Sequence, residues 1–334
     1  MSDKDVTEHY RTLLERRRMV TAALSSELAL LARDRPSLSA AILQLLDSDG
    51  STESPFRLLP FPVLGAITAD PQSALPVAML SRLWWTGAES FDDLTDGDFD
   101  PEQVGLSSAQ ASISSAACLT LVPQLLIEHL DVPAKLRAAW AREFVTSSLR
   151  SAEGQLDDVS ASPNAITWST TMRIYAGKSG APYGRDAAMT AMLARVGNQA
   201  IEGWRVFGKL FGILRQMAND RASHGLGEDR DLENGTWTLL MALAVEMANP
   251  TEADALAALR DRARLDTVAR REIREHLSRT SAAIAYNDRI YVIRRKLSGL
   301  LGALAKPSEH RDLIQWMIDA SAEDARLTAE RGAV

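Results

Sequence analysis

Apolar residues recur along this chain at intervals of three and four, the period of an amphipathic helix, and no stretch of useful length alternates with the period of a strand. The pattern predicts a first helix over residues 4 to 33, carrying Leu13, Leu14, Ala22, Leu24, Leu28, Leu30 and Leu31 and ended before Pro36. A shorter helix runs to Leu46. Asp47 to Pro55 is a loop by composition, and further helices are expected over 58–69, 75–95, 106–129 and 133–159. Asn164 to Ala176 follows, with a break at Gly177-Lys178-Ser179-Gly180-Ala181-Pro182. Asp186 to His224 reads as one long run or two, then come 234–248, 251–262, 266–302 and 309–331. Short connections between some ten helices predict an all-α bundle around a central cavity. One domain over 1–334 is expected, with N-terminal helices in 1–50, a core in 55–245 and C-terminal helices in 250–334.

Composition narrows the partners rather than the fold. With 334 residues the chain can bury a substantial core. A net charge of −7 argues against nucleic acid, whose phosphates need a basic face. The single cysteine, Cys118, excludes a disulfide within the chain and points to a reducing, cytoplasmic setting. The polar start Met1-Ser2-Asp3-Lys4-Asp5 is unlike a signal peptide. No uninterrupted apolar stretch approaches the roughly 20 residues that span a bilayer, so no transmembrane segment is expected.

Candidate chemistry gathers at two helix ends. In Trp84-Trp85-Thr86-Gly87-Ala88-Glu89-Ser90-Phe91-Asp92-Asp93-Leu94-Thr95-Asp96, the residues Asp92 and Asp96 stand four apart, on one helix face. Like charges at that spacing repel each other, and Mg²⁺, which prefers carboxylate oxygens together with substrate phosphates, would relieve them. At the second end, Gln216, Asn219 and Ser223 share a face, with Asp220 beside them. In an antiparallel bundle the two ends could clamp a metal-bound diphosphate. Arg57, Lys178 and Arg173 are the cations available for phosphate oxygens.

These residues fall into an ordered set that resembles the trans-prenyl diphosphate synthases. Asp92-Asp93-Leu94-Thr95-Asp96 stands as the first aspartate-rich motif. Gly154-Gln155-Leu156-Asp157-Asp158 looks like Gly-Gln-x-x-Asp, and Tyr175 to Gly180 resembles the Lys-Thr helix break. Phe211 to Ser223 resembles Phe-Gln-x-x-Asp-Asp-x-x-Asp, and Asp231 to Leu239 resembles Asp-Leu-x-x-Gly-Lys-x-Thr-Leu. The resemblance implies the all-α isoprenoid synthase (class I terpenoid synthase) fold, a homodimer, and ionisation of an allylic diphosphate assisted by Mg²⁺, three ions in all. It implies Asp92, Asp96 and Asn219 as catalytic metal ligands, with Asp93, Asp220, Ser223 and Glu228 completing the metal set. Arg57, Lys178, Gln216, Arg221, Trp85 and Gln155 would contact the substrate or its diphosphate.

Departures from the family pattern decide the expected reaction. Elongating enzymes hold isopentenyl diphosphate with Gly-Lys-Arg-x-Arg-Pro, which here reads Pro55-Phe56-Arg57-Leu58-Leu59-Pro60. The histidine expected seven residues before Asp92 is Trp85, and the arginines expected after the first motif are Asp98, Phe99, Asp100, Pro101 and Glu102. A site missing these cations neutralises a second diphosphate poorly. Asn219 and Ser223 replace two aspartates and resemble the Asn-x-x-x-Ser-x-x-x-Glu motif of class I terpene synthases, with Glu228 one position late after Gly227. The lysine expected before Thr238 is Trp237 or Thr236, for which Arg221 or Arg230 could compensate; Arg289, Arg294, Arg295 and Lys296 read as a solvated face. Trp84, Trp85, Trp204 and Trp237 could stabilise a cation. The expectation is therefore a terpene synthase of the class IB type acting on farnesyl or geranylgeranyl diphosphate. A prenyltransferase with another acceptor comes second, and an inactive partner subunit or an elongating synthase follows.

Overall fold

The computed structural model describes residues 3–48, 54–97, 100–160, 166–223, 230–279 and 281–327, and for 3–7, 10, 48, 96, 222, 223, 230, 231, 278 and 279 the backbone alone. Among the described residues every regular element is a helix, as the period of the apolar residues predicts. The chain forms two compact units: Met1–Ser148 with Arg185–Arg205 and Leu304–Ile314, and Leu149–Gly184 with Val206–Ala303 and Gln315–Val334.

Unit one is built on α1 (Asp3–Leu31), α2 (Pro36–Ser48), α3 (Pro60–Thr68), α4 (Leu75–Asp96), α5 (Ser108–Ala116), α6 (Val122–His129) and the first half of α7 (Ala134–Val159). From α1, Leu13, Val20, Leu24 and Leu28 form one buried stripe at spacings of seven, four and four. α4 is different. Val77 to Trp84 is buried on every side, which makes it the central helix of the unit, and only from Phe91 onward does it emerge. That emergence follows the sequence, because the apolar run gives way to aspartates at that point.

A buried charge group is locked to α4. The Arg185 guanidinium lies 5.0 Å from the Trp84 ring and 4.4 Å from that of Phe144. Its Nε donates to Asp186 at 2.8 Å, and Ser81 donates to the other Asp186 oxygen at 2.6 Å. Burial pushes the Asp186 carboxyl above its ordinary range, and Arg185 and Ser81 pull it back. Trp140 adds a bond from its indole N–H to the Met189 carbonyl at 3.1 Å.

Unit two contains α8 (Trp168–Tyr175), the second part of α10 (Asn198–Ser223), α11 (Arg230–Asn234), α12 (Leu239–Met247), α13 (Pro250–Ala263) and α14 (Thr267–Arg279). Most of α15 (Ser281–Leu304) and of α16 (Glu309–Ala325) completes it. Leu239 to Ala244 of α12 is buried throughout. Phe207, Phe211 and Leu214 of α10 and Ile290, Ile293 and Leu297 of α15 supply further buried stripes at spacings of three and four. Asn249 begins α13 with a reciprocal capping box to Glu252, and Pro250 occupies the first turn, where no donor is needed.

Several expected boundaries shift, each for a local reason. The run from Asp186 divides because Arg195 takes a left-handed φ of 56° and Gly197 follows, so α9 (Ala181–Leu193) ends before α10. The helix expected over 266–302 is α14 and α15, whose junction at residue 280 lies outside the described residues, and the one expected over 234–248 is α12, starting only at Leu239 because α11 ends at Asn234 and Gly235 takes a φ of 73°. The helix expected from Asn164 starts at Trp168, where Thr167 caps it, and the one expected to 331 ends at Ala325; Asn164 and residue 331 themselves lie outside the described residues.

The expected break at Gly177–Pro182 is no break. Ala176–Gly180 forms a turn of π-helix that runs directly into α9. A second π turn, Ala117–Leu121, joins α5 to α6, where the Val122 N–H reaches back five residues to the Ala117 carbonyl. Each π turn is followed by a proline in second helical position, Pro182 and Pro123. Proline lacks the N–H and crowds the carbonyl four residues earlier, and the widened turn accommodates it.

Among the described residues one helical stretch, Ser108–His129, 22 residues, is long and apolar enough by composition to cross a membrane. It is not an uninterrupted apolar run, since Ser, Thr and Gln recur along it and Glu128 and His129 close it. Half of its apolar window is buried against the rest of unit one.

Asp186→Ala would leave a buried guanidinium without its carboxylate. Removing one partner of such a pair costs about 3–5 kcal/mol, so the urea midpoint should fall sharply. A midpoint within experimental error of the parent would show that this group does not hold α4 in place.

Candidate active site

In unit one the candidate residues lie along the emerging end of α4. Trp85, Glu89, Asp92 and Asp96 follow at spacings of four, three and four, and so share a helix face. Asp92 is half-buried and Asp93 exposed, and Gly97 in left-handed geometry (φ 79°) closes the helix. Three carboxylates in the last five residues of a helix, with no basic residue in the last turn, oppose the helix dipole. Each acid so placed costs about 0.3–1 kcal/mol, and a cation would reverse the sign of that term.

Glycine fixes how closely α4 is packed. A Cβ on Gly87 would stand 2.7 Å from the Ser115 carbonyl oxygen and 2.9 Å from the Cys118 Cβ, at the π turn. Burial there pushes the Cys118 thiol up to about 12, so it stays protonated.

Arg57 sits in a short 3₁₀ turn, Pro55–Leu58, and is buried. Its guanidinium forms a bidentate ion pair with Glu89, one of the two bonds measuring 2.6 Å, and lies 4.7 Å from the Trp85 ring. The cation expected to meet a diphosphate therefore already has a carboxylate.

In unit two the π turn Ala176–Gly180 organises the candidates. Gly154 of α7 and Gly177 pack backbone against backbone; a Cβ on Gly154 would fall 2.7 Å from the Lys178 nitrogen and 2.8 Å from the Gly177 Cα. At this contact Lys178 pairs with Asp158 at 2.7 Å, and Arg173 approaches Asp157 at 3.4 Å. Ser179 donates to Gln216 at 2.6 Å, and Gln216 donates to Asp220 one helical turn on at 3.1 Å. The Tyr175 hydroxyl donates to the other Asp220 oxygen and accepts from the Leu239 N–H at 3.1 Å. Burial first, and Asp220 second, push the Tyr175 hydroxyl well above its ordinary range, so it remains a donor.

The network separates neighbours on α10. Asp220 is buried with both oxygens accepting from protein donors, whereas Asn219, one residue earlier, is exposed. Arg221 donates to the Glu323 and Asp324 carbonyls at the end of α16, each at 3.2 Å, and Arg215 pairs with the Asp324 carboxylate at 3.0 Å. Gln155 is half-buried. Trp204 and Trp237 lie in the core, the latter under Arg260 at 4.8 Å. Of the expected solvated face, Arg289 covers Trp168 and Arg294 pairs with Asp319. Glu228 lies outside the described residues, and Asp96, Ser223 and Arg230 are described as backbone only.

Among the described residues no group of three or more His, Cys, Asp or Glu could cage a metal ion by itself. Asp92, half-buried on unit one, and Asn219, exposed on unit two, are each a hard-oxygen donor of the kind that Mg²⁺ takes, an ion that usually has one or two protein ligands and completes its shell from phosphate and water.

Comparison with known proteins bears on the fold. A geranylgeranyl pyrophosphate synthetase from Pyrococcus horikoshii superposes with a TM-score of 0.78 at 18% identity, over 94% of this chain and 99% of that one. A decaprenyl diphosphate synthase from Rhodobacter capsulatus gives 0.80 at 14% identity, over 96% and 99%. A geranylgeranyl pyrophosphate synthase from Corynebacterium glutamicum, complexed with isoprenyl diphosphate and magnesium, gives 0.75 at 18% identity, over 95% and 99%. The fold is that of the prenyl diphosphate synthases. No protein-family model matches the chain, and no curated protein matches it. On this isoprenoid synthase fold, sequence reasoning named Asp92, Lys178 and Gln216 but passed over Tyr175 and Ser179. Both lie within the quoted helix-break motif, and only packing shows that they face α10.

Tyr175→Phe keeps the ring and removes the hydroxyl, which leaves the buried Leu239 N–H and one Asp220 oxygen without their shared partner. The expected loss is about 1–3 kcal/mol in chemical denaturation. An unchanged midpoint would mean that water replaces the hydroxyl and that the network is not closed.

Proposed function

We propose that this chain is a Mg²⁺-dependent enzyme that ionises an allylic prenyl diphosphate, farnesyl or geranylgeranyl, and converts the cation to a terpene with release of diphosphate. The reading is carried by the acidic end of α4, where Asp92, Asp93 and Asp96 oppose the helix dipole on the fold of the prenyl diphosphate synthases. In the reaction the C1–O bond breaks and its electron pair leaves with the diphosphate; the organic cation then rearranges and loses a proton or takes up water. Mg²⁺ bound with the substrate supplies charge neutralisation at the leaving group. Asp92 and Asp96, with Asn219 and Ser223, are the ligand candidates. Asn219 and Ser223 add no charge, so the two ligand sets differ in strength. Water exclusion protects such a cation, and the half-buried, Arg57-covered ring of Trp85 is the apolar surface beside Asp92 on α4.

The second reading is prenyl transfer. The named neighbours favour it, being a geranylgeranyl pyrophosphate synthetase and a decaprenyl diphosphate synthase. It shares the ionisation and differs in the fate of the cation. Incubation with Mg²⁺ and farnesyl or geranylgeranyl diphosphate, with and without isopentenyl diphosphate, separates the two. Hydrocarbon or alcohol from the allylic substrate alone supports the first reading, and a lengthened diphosphate supports the second.

A homodimer is proposed from α7. Val145, Leu149, Ala152, Leu156 and Val159 are exposed at spacings of four, three, four and three, the seam of a helix packed on another helix. A closed, self-complementary interface is the simplest cover for such a stripe.

Two outcomes check these proposals. Asp92→Ala should abolish diphosphate release, by at least about a hundredfold, at an unchanged circular dichroism spectrum; normal turnover would end the proposal. Leu149→Glu with Leu156→Glu should sediment as a monomer, and a dimer from the double variant would move the interface elsewhere.

A further inference from the structure

Glu89 has no role in the proposed ionisation, yet it is the most consequential carboxylate beside it. It follows Trp85 by four residues and precedes Asp92 by three, on the same face of α4. One helical turn separates it from Asp92, about 4.5 Å along the axis at 1.5 Å per residue. Against this face lies the buried Arg57, both of whose terminal nitrogens meet the Glu89 carboxylate. The plane of the guanidinium covers Trp85 at 4.7 Å.

An arginine fork fits a carboxylate and a phosphate in the same bidentate way. A buried guanidinium on the face of α4 that carries Asp92 one turn on would therefore be a ready phosphate site, and Glu89 holds the place that the phosphate oxygens would take. The three groups together are neutral, one positive charge against one negative over an uncharged ring. A diphosphate arriving here would meet Glu89 and Asp92 as repelling charges, with Arg57 already engaged.

We infer that Glu89 is a specificity-determining residue: by occupying Arg57 over Trp85 it excludes a second diphosphate from the face of α4 next to Asp92, so that the second reactant is uncharged. The class follows from the surface, namely water, a neutral nucleophile or a double bond of the substrate itself. This rests on the proposed ionisation for its meaning in catalysis, but its binding consequence stands independently. Phe56 and Leu59, buried beside Arg57 in sequence, add no cation that could offset Glu89.

The test is calorimetric titration of isopentenyl diphosphate into the full chain with a chelator present, so that no metal bridges the aspartates to the ligand. The wild-type protein should show no saturable binding at micromolar concentration. Glu89→Gln removes the charge at constant shape and frees the fork, and should raise affinity at least about tenfold. Adding Arg57→Leu to that variant should abolish the gain. Micromolar binding to the wild-type chain overturns the inference without any variant. So does a Glu89→Gln protein that melts like the wild type and gains nothing. Failure of the wild-type chain to release diphosphate from farnesyl or geranylgeranyl diphosphate with Mg²⁺ would instead overturn the proposed function and leave the titration result intact.

Discussion

Two prolines that cannot donate a hydrogen bond set the spacing on which both candidate clusters depend. Pro123 and Pro182 each sit two residues past a π turn, and a widened turn pushes backbone outward. Each bulge is received by a glycine on the neighbouring helix, Gly87 on α4 and Gly154 on α7, at distances where any side chain would collide. In unit one this holds α4 tightly along its buried half, so that its acidic end emerges at a defined place. In unit two it brings Lys178 to Asp158 and turns Ser179 and Tyr175 toward α10.

The two helix ends are treated in opposite ways. α4 ends with Asp92 half-buried and Asp93 exposed, against its own dipole. α10 turns its aspartate inward and satisfies it with Tyr175 and Gln216, and shows Asn219 outside. Negative charge is thus concentrated at the end of α4, whereas α10 shows a neutral amide. Arg57 is subject to the same logic, since a buried guanidinium needs a carboxylate and finds it in Glu89 rather than in a ligand.

The fold class was legible because helical periodicity is a local property. Stripes such as Leu13, Val20, Leu24 and Leu28 need only one face buried, whatever covers them. The position of the acidic motif at a helix end was legible too, because the apolar run stops at Phe91. The π turns were not, since Gly-Lys-Ser-Gly-Ala-Pro reads equally as a break by local chemistry, and only the receiving Gly154 makes continuation favourable.

What the amino-acid sequence determined by itself is the helical architecture and the supply of carboxylates, because period and charge are written residue by residue. What the tertiary structure alone decided is which charges remain available. Asp220 and Asp92 look equivalent in the sequence, and Arg57 looks like a phosphate ligand. Burial beside Tyr175 consumes the first, and Glu89, 32 residues away in the chain, consumes the last. Desolvation makes such pairings obligatory, and no local pattern records which partner will arrive.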